Sequence, residues 1–443
     1  MTGSEWKRIN SWKAALALVL LVSGLTTVAL AADELEWPGT TPENISASVW
    51  DRAWQPSMAA GDTGRMVVAW SDESVDHDRN ISAVDSSDNG RSWSSPQVVA
   101  EDADRPLLLP GTAVAEGRSF VSWSRQSSSP GGYVFHVYET ELGTGVERQV
   151  PGSLGYDWPS WPRLAEDGNQ LHMVFHGADH APNILYTSRF LTDTDWLTAA
   201  VVYTHTGAIG SFYPALAVEP GEDKLHLVWE ERAGNLDRKV LYMEGDASGP
   251  TVNWSPAVTL STGITLSVWP SVVASSAGDV YVVWGEQVGT GDVADREHYV
   301  RFSHRDSSGV WSTPKRIDAE PVQVNHLIPT AVTLSMALLE DDGHVRFCVA
   351  WHGFRQGDND AAEEVVVSCS TNQGATWTSP QNMSRTSGSE ATSIVPAIVF
   401  DGADELHGVW QERAGGDAVF DYQIYHTRRL DKRVYLPLMM RRN

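Results

Sequence analysis

The sequence is poor in three things, and each shortage excludes something. Cysteine is nearly absent, with two residues in 443. Both lie far from the N-terminus, so no lipid-modified cysteine follows an N-terminal cleavage. Basic residues are scarce: 32 Lys and Arg face 57 Asp and Glu, a net charge of −25. Nucleic acids and anionic membrane surfaces demand the opposite sign, so neither is an expected partner. Long apolar runs are missing beyond residue 31, so no later segment spans a bilayer. Helical periodicity is missing as well.

What is present is ordinary in amount and unusual in kind. Hydrophobic residues make up 42% and charged residues 20%, which excludes a disordered chain. The 37 Gly and 22 Pro are too many for a helical bundle and imply many turns. Trp is the outlier, with 19 residues against 10 Phe and 12 Tyr. At the N-terminus, Lys7, Arg8 and Lys13 precede an apolar stretch, residues 14–30, and the small-x-small site Ala29-Leu30-Ala31. Residues 1–31 therefore read as a secretory signal peptide, cleaved after Ala31, and the chain as secreted or held at the cell surface.

Length alone suggests about three domains, but an internal repeat argues for one. A Pro, a small residue, apolar residues, a turn and an apolar run ending in an aromatic recur along the chain. The closing aromatics are Trp70, Trp123, Phe175, Trp229, Trp284, Trp351 and Trp410, a mean period of about 57 residues. A second apolar run follows each, for example Ile184-Leu185-Tyr186. In several repeats a Trp-centred segment comes next, as in Trp93-Ser94-Ser95-Pro96 and Trp254-Ser255-Pro256. Four short strands per repeat is the pattern of a propeller blade. The expectation is an all-β, seven-bladed antiparallel β-propeller over residues 32–429. The last repeat lacks its Trp-x-x-Pro segment. Trp37, Pro42, Ile45 and Ser46 resemble the missing outer strand, so the N-terminal strand is expected to close the last blade and hide the edges of the array.

One turn carries a family resemblance. Ser86-Ser87-Asp88-Asn89-Gly90-Arg91-Ser92-Trp93 matches Ser-x-Asp-x-Gly-x-x-Trp, and Ser370-Thr371-Asn372-Gln373-Gly374-Ala375-Thr376-Trp377 repeats it with Asn for Asp. This resembles the Asp-box, or BNR repeat, of the sialidase superfamily. The resemblance implies that Ser86, Asp88, Gly90, Trp93, Ser370, Asn372, Gly374 and Trp377 are folding elements, on the face opposite any active site. The sialidase Arg-Ile-Pro signature is absent; Arg105-Pro106 is the nearest sequence, without the middle residue. Sialidases resemble six-bladed propellers, whereas seven repeats are counted here.

Propeller geometry restricts where a site can lie. Loops that lead into the first strand of each blade share a face with loops that leave the second. The first set offers Trp54, Trp158, Trp161, Tyr213, Trp269, Asn325 and His326. The second offers Glu230, Glu231, Arg232, Glu412 and Arg413, with His176 and His352. Aromatic faces stack on sugar rings, and a carboxylate pair can hydrolyse a glycosidic bond. Trp54, Trp158, Trp161, Tyr213, Trp269, His326, Arg232 and Arg413 are the candidate ligand contacts; Glu230 and Glu231 are the candidate catalytic pair. The same aromatics could instead plug the ring. Glu230-Glu231-Arg232-Ala233-Gly234 and Gln411-Glu412-Arg413-Ala414-Gly415 are near copies, which favours a structural loop over catalysis. No cofactor is expected. Asp72-Glu73 with Asp76 and Asp78, and Asp358-Asn359-Asp360, are acidic enough for Ca²⁺ but lack EF-hand spacing.

Cys348 and Cys369 fall on neighbouring strands of the sixth repeat, as a disulfide or as two buried thiols. Residues 430–443 form an apolar tail flanked by basic residues, either a sorting or docking segment or a last strand packed on the ring. The leading expectation is a monomeric, non-catalytic binder of a glycan or glycoconjugate at the channel mouth. The alternatives are a glycoside hydrolase of sialidase type and a scaffold for a cell-surface protein.

Overall fold

The computed structural model describes residues 39–46, 52–73, 79–102, 107–129, 132–156, 160–177, 180–206, 209–234, 237–261, 266–288, 297–318, 334–341, 343–354, 363–385, 392–413 and 422–429. The elements formed there are strands, with no helix among the described residues. The expected signal segment 1–31, the tail 430–443, Trp37, Trp158, Asn325, His326, Arg105-Pro106, Asp76, Asp78 and Asp358-Asn359-Asp360 lie outside them.

Each repeat folds as an antiparallel meander. In blade 1 the strands are Arg52–Ala60, Met66–Glu73, Arg79–Ser86 and Gln97–Ala100. Hydrogen bonding gathers the described strands into six sheets, five of them single meanders. The sixth has nine strands and is two meanders joined by one parallel pairing, Arg238 with Leu266. The chain therefore forms seven blades. Their inner strands, blades 1 to 7 in order, are Arg52–Ala60, Leu107–Ala115, Arg163–Asp167, Gly210–Val218, Leu266–Ala274, Leu334–Asp341 and Thr392–Phe400. Each touches the next, and the last touches the first, so they enclose an axis.

The start of the chain completes blade 7. Glu43–Asn44 pairs with the third strand of that blade, Tyr422–Arg428, with Glu43 opposite His426 and Asn44 opposite Tyr425. Ile45 is buried, and the Ser46 hydroxyl accepts the Ile424 N–H at 3.0 Å. An edge that would otherwise template foreign strands is thereby occupied.

Two sets of aromatics build the core. The repeated residue near the end of each second strand is fully buried, from Trp70 at 0% exposure to Trp351 at 2%. The Trp of each outer segment leans on the blade before it. Trp254 of blade 4 meets Tyr186 of blade 3 at 5.5 Å, Trp311 of blade 5 meets Tyr242 at 4.9 Å, and Trp377 of blade 6 meets Phe302 at 5.2 Å. Trp196 of blade 3 gives its ring N–H to Glu139 of blade 2 at 3.1 Å. The first set fills blades and the second glues them together, which accounts for much of the Trp excess. Cys348 and Cys369 face each other in blade 6 and are joined by a disulfide, S–S 2.06 Å.

The turn at 86–93 is organised by its own side chains. The Ser86 hydroxyl donates to Asp88 at 2.8 Å and accepts the Gly90 N–H at 3.0 Å. Asp88 accepts the N–H groups of Arg91 and Ser92 at 3.0 and 2.9 Å, and the Ser92 hydroxyl at 2.6 Å. Those bonds, the Ser92 hydroxyl first, hold its carboxyl down at about 2. Asn372 makes the same bond to the Thr376 N–H at 2.9 Å, and Ser370 accepts from Gly374 at 2.9 Å. Gly90 and Gly374 adopt φ of +63° and +72°, where a side chain is disfavoured.

Candidate functional site

The inner strands share a local irregularity. The residue before the strand proline has left-handed backbone in five blades: Gln55, Leu109, Tyr213, Trp269 and Val395, with φ between +51° and +60°. The pairing register slips at each of these points. A non-glycine residue held there costs about 1–2 kcal/mol, so neighbours must enforce it. The Gln55 N–H donates to Gln411 of blade 7 at 2.8 Å, and the Leu109 N–H to Ser71 of blade 1 at 3.3 Å. Gln411 and Ser71 each follow a repeated Trp. His176, Glu230 and His352 occupy the same position in their blades, so a polar residue there belongs to a recurrent joint between blades.

The bulge sets the side chain before the proline at the mouth end of the axis. In blades 3, 4 and 5 that residue is aromatic. Tyr213 and Trp269 stack at 3.9 Å and 19°, and Trp161, before Pro162, meets them edge-on at 5.1 and 5.0 Å. The three rings line a central cavity of about 210 Å³. Pro56, Arg163, Pro214, Pro270 and Pro396 are among its other walls. Burial raises the Tyr213 hydroxyl above its ordinary value. The turns at 86–93 and 370–377 connect third to fourth segments, which places them at the opposite end of the axis.

Glu230, Glu231 and Glu412 near the mouth all have hydrogen-bond donors. Arg232 donates to Glu230 at 2.5 Å, and Arg238 reaches the same oxygen at 3.4 Å. The Arg232 guanidinium also lies 4.2 Å over Phe212 and 5.2 Å over Tyr213. Burial opposes its charge, but Glu230 and Tyr213 outweigh burial and raise it overall. Glu231 accepts the Thr206 N–H at 2.8 Å and the Ser211 hydroxyl. Glu412, two residues after its Trp as Glu231 is, likewise accepts from Ser393 at 3.3 Å and from Trp410 at 2.8 Å. The acid at this position braces the inner strand of its own blade.

The sequence candidates thus divide. Trp161, Tyr213 and Trp269 come together on the cavity, with Arg232 behind Tyr213. Trp54 stands apart from the three rings, half-buried under the Arg79 guanidinium at 5.6 Å. Arg413 lies across from Thr392 at the start of the last inner strand. Glu230 and Glu231 are buried and committed to the bonds above. His176 packs on Phe212 at 5.3 Å, and burial pushes His352 down to about 3. Of the acidic Ca²⁺ candidates, Asp72 accepts from Ser82 at 3.0 Å and Glu73 lies between Arg79 and Arg52 at 3.5 and 3.8 Å. The two arginines answer the charge of Glu73. Asp401, Glu405 and His407 gather three potential ligands within 4.8 Å, which the sequence reading passed over. Arg428 already holds Glu405 at 2.8 Å, and His407 bonds Asp401 at 3.3 Å and His426 at 3.0 Å. The reading also passed over Arg163, two residues beyond Trp161 and first in the inner strand of blade 3.

No family model and no curated protein matches this chain. Solved structures do. The ulvan lyase, a polysaccharide lyase bound to -[GlcA(1-4)Rha3S]-, is similar with a TM-score of 0.57 at 12% identity, over 87% of this chain and 95% of that one. A protein of unknown function from Dyadobacter fermentans gives a TM-score of 0.53 at 12% identity, over 88% and 97%. The intramolecular trans-sialidase from Ruminococcus gnavus gives 0.49 at 11%, over 87% and 96%. The first two share the β-propeller fold with this chain. Among the described residues no helix is long and apolar enough to cross a membrane.

Proposed function

We propose that this chain is an exported, sialidase-like β-propeller that binds a glycan or glycoconjugate at the mouth of its central channel without cleaving it. The observation that carries this reading is the meeting of Trp161, Tyr213 and Trp269 on the axial cavity. Three rings from three successive blades, two of them (Tyr213 and Trp269) on bulged backbone, form an apolar platform with polar tips. Such surfaces stack on the C–H faces of sugars at little entropic cost. The likeness of the turn at 86–93 to the Asp-box supports the kinship, and the N-terminal 31 residues support export.

The carboxylates argue for binding over hydrolysis. A two-carboxylate glycosidase needs one carboxylic acid and one carboxylate facing the scissile bond, whereas a sialidase uses a Tyr nucleophile. Glu230 is fully buried behind Arg232 and Arg238, and Glu231 is consumed by Thr206 and Ser211.

Glycan-array screening followed by calorimetry tests the reading. Trp161→Ala and Trp269→Ala should each weaken binding of the selected glycan at least tenfold, about 1.4 kcal/mol. Affinity unchanged in both variants would remove the proposal. Turnover of a sialoside by the native chain, abolished in Glu230→Gln or Glu231→Gln, would install the hydrolase in its place.

A further inference from the structure

With 57 acidic residues in the chain, arginines find carboxylates easily, and those of the blades use them. Arg189 bonds Glu139 at 3.0 Å, Arg316 lies 3.2 Å from Asp318, and Arg428 lies 2.8 Å from Glu405. Arg163 departs from this pattern. Among the described residues its guanidinium has neither ion pair nor hydrogen bond. Its contact is the Trp161 ring, 5.2 Å away.

The position of Arg163 makes this informative. It opens the inner strand of blade 3 and lines the axial cavity. Among the described residues no acidic residue lines that cavity, while Ser271 and Ser335 contribute to its walls. Burial alone pushes the Arg163 guanidinium down to about 10, far above any working pH, so it stays charged. Arg163 is half-buried, and its guanidinium, without a counter-charge among the described residues, offers five N–H donors to whatever fills the space.

We propose that the axial cavity is a binding site for a small anion, a halide or a monocarboxylate such as formate, held on the Arg163 guanidinium. Arg163 follows Trp161 by two residues, at the start of the inner strand. The site shares its cavity with the aromatic rings, but its test contains no sugar, so its failure is distinct from a failure of glycan docking.

Bromide is the probe. Crystals of the full chain soaked in sodium bromide should show an anomalous peak within hydrogen-bonding reach of the Arg163 guanidinium. In solution, bromide and formate should each raise the Tm saturably, and Arg163→Gln should lose that response. Arg163→Lys should retain part of it, since an ammonium keeps the charge but not the fork. Water alone beside Arg163, with bromide confined to the outer surface, would overturn the proposal. So would an identical bromide response in Arg163→Gln. If that variant does not fold, diffraction from the native protein still decides.

Discussion

His172 shows how one side chain reports on its blade. It sits three residues before the repeated aromatic Phe175, is buried, and bonds the Tyr186 hydroxyl at 2.7 Å. Burial pushes its imidazole from 6.5 down to about 4. The folded chain therefore holds it neutral while the unfolded chain takes a proton. Its stabilising contribution is complete above pH 6.5 and is lost as pH falls toward 4, by at most about 3 kcal/mol. Blade 2 carries Phe120 at the equivalent position, so His172→Phe should fold. Thermal melts from pH 7 to 4 should show a shallower acid loss in this variant than in the native chain; equal slopes would refute the assignment. At this scale the sequence was partly legible. Tyr213 and Trp269 stood out because each precedes a proline. Their left-handed backbone did not, because a residue before proline ordinarily adopts extended geometry. Arg163 escaped notice because an isolated arginine has no motif; what marks it is the absence of a partner, which only coordinates reveal.

Among elements, the two turns make a natural experiment. Asp88 and Asn372 perform the same backbone capture with different charge. Asp88→Asn should therefore shift the melting temperature little, whereas Asp88→Ala, which deletes the acceptor, should cost about 1–2 kcal/mol. Chemical denaturation distinguishes them, and equal losses would show that charge rather than geometry organises the turn. These turns were legible because their side chains bond within a few residues. A second recurrent device was not. An apolar residue followed by Ser or Asp ends several outer strands: Ile45-Ser46, Leu260-Ser261, Ile317-Asp318 and Met383-Ser384. In each, the second residue accepts a backbone N–H of the third strand at 3.0–3.1 Å. The pair is too short and too common to be noticed unless the repeats are aligned on their structure.

For the whole molecule, closure is the exposed point. Glu43–Asn44 contributes two residues of pairing, and Ser46 and Ile45 anchor them. Deleting residues 1–46 should uncover the edge of Tyr422–Arg428 and yield dimers or larger species in size-exclusion chromatography with light scattering. A monomeric profile would show that closure is dispensable. The disulfide closes a loop of sequence separation 21 within blade 6. Replacing both cysteines by serine should lower stability by about 3 kcal/mol on chain-entropy grounds. Its effect should be confined to stability, because neither cysteine lines the axial cavity.

The ring also imposes an order of events on its own manufacture. Glu43 and His426 are neighbours in space but 383 positions apart in the chain. Six blades can form as they emerge, each from contiguous sequence, while the seventh has no outer strand until its partner from the opposite end arrives. Long loop closure is slow and leaves edges bare meanwhile. Synthesis runs from the N-terminus, so the segment made earliest among the described residues is the last to find its place, and a ribosome stalled before residue 422 would leave an open, adhesive arc.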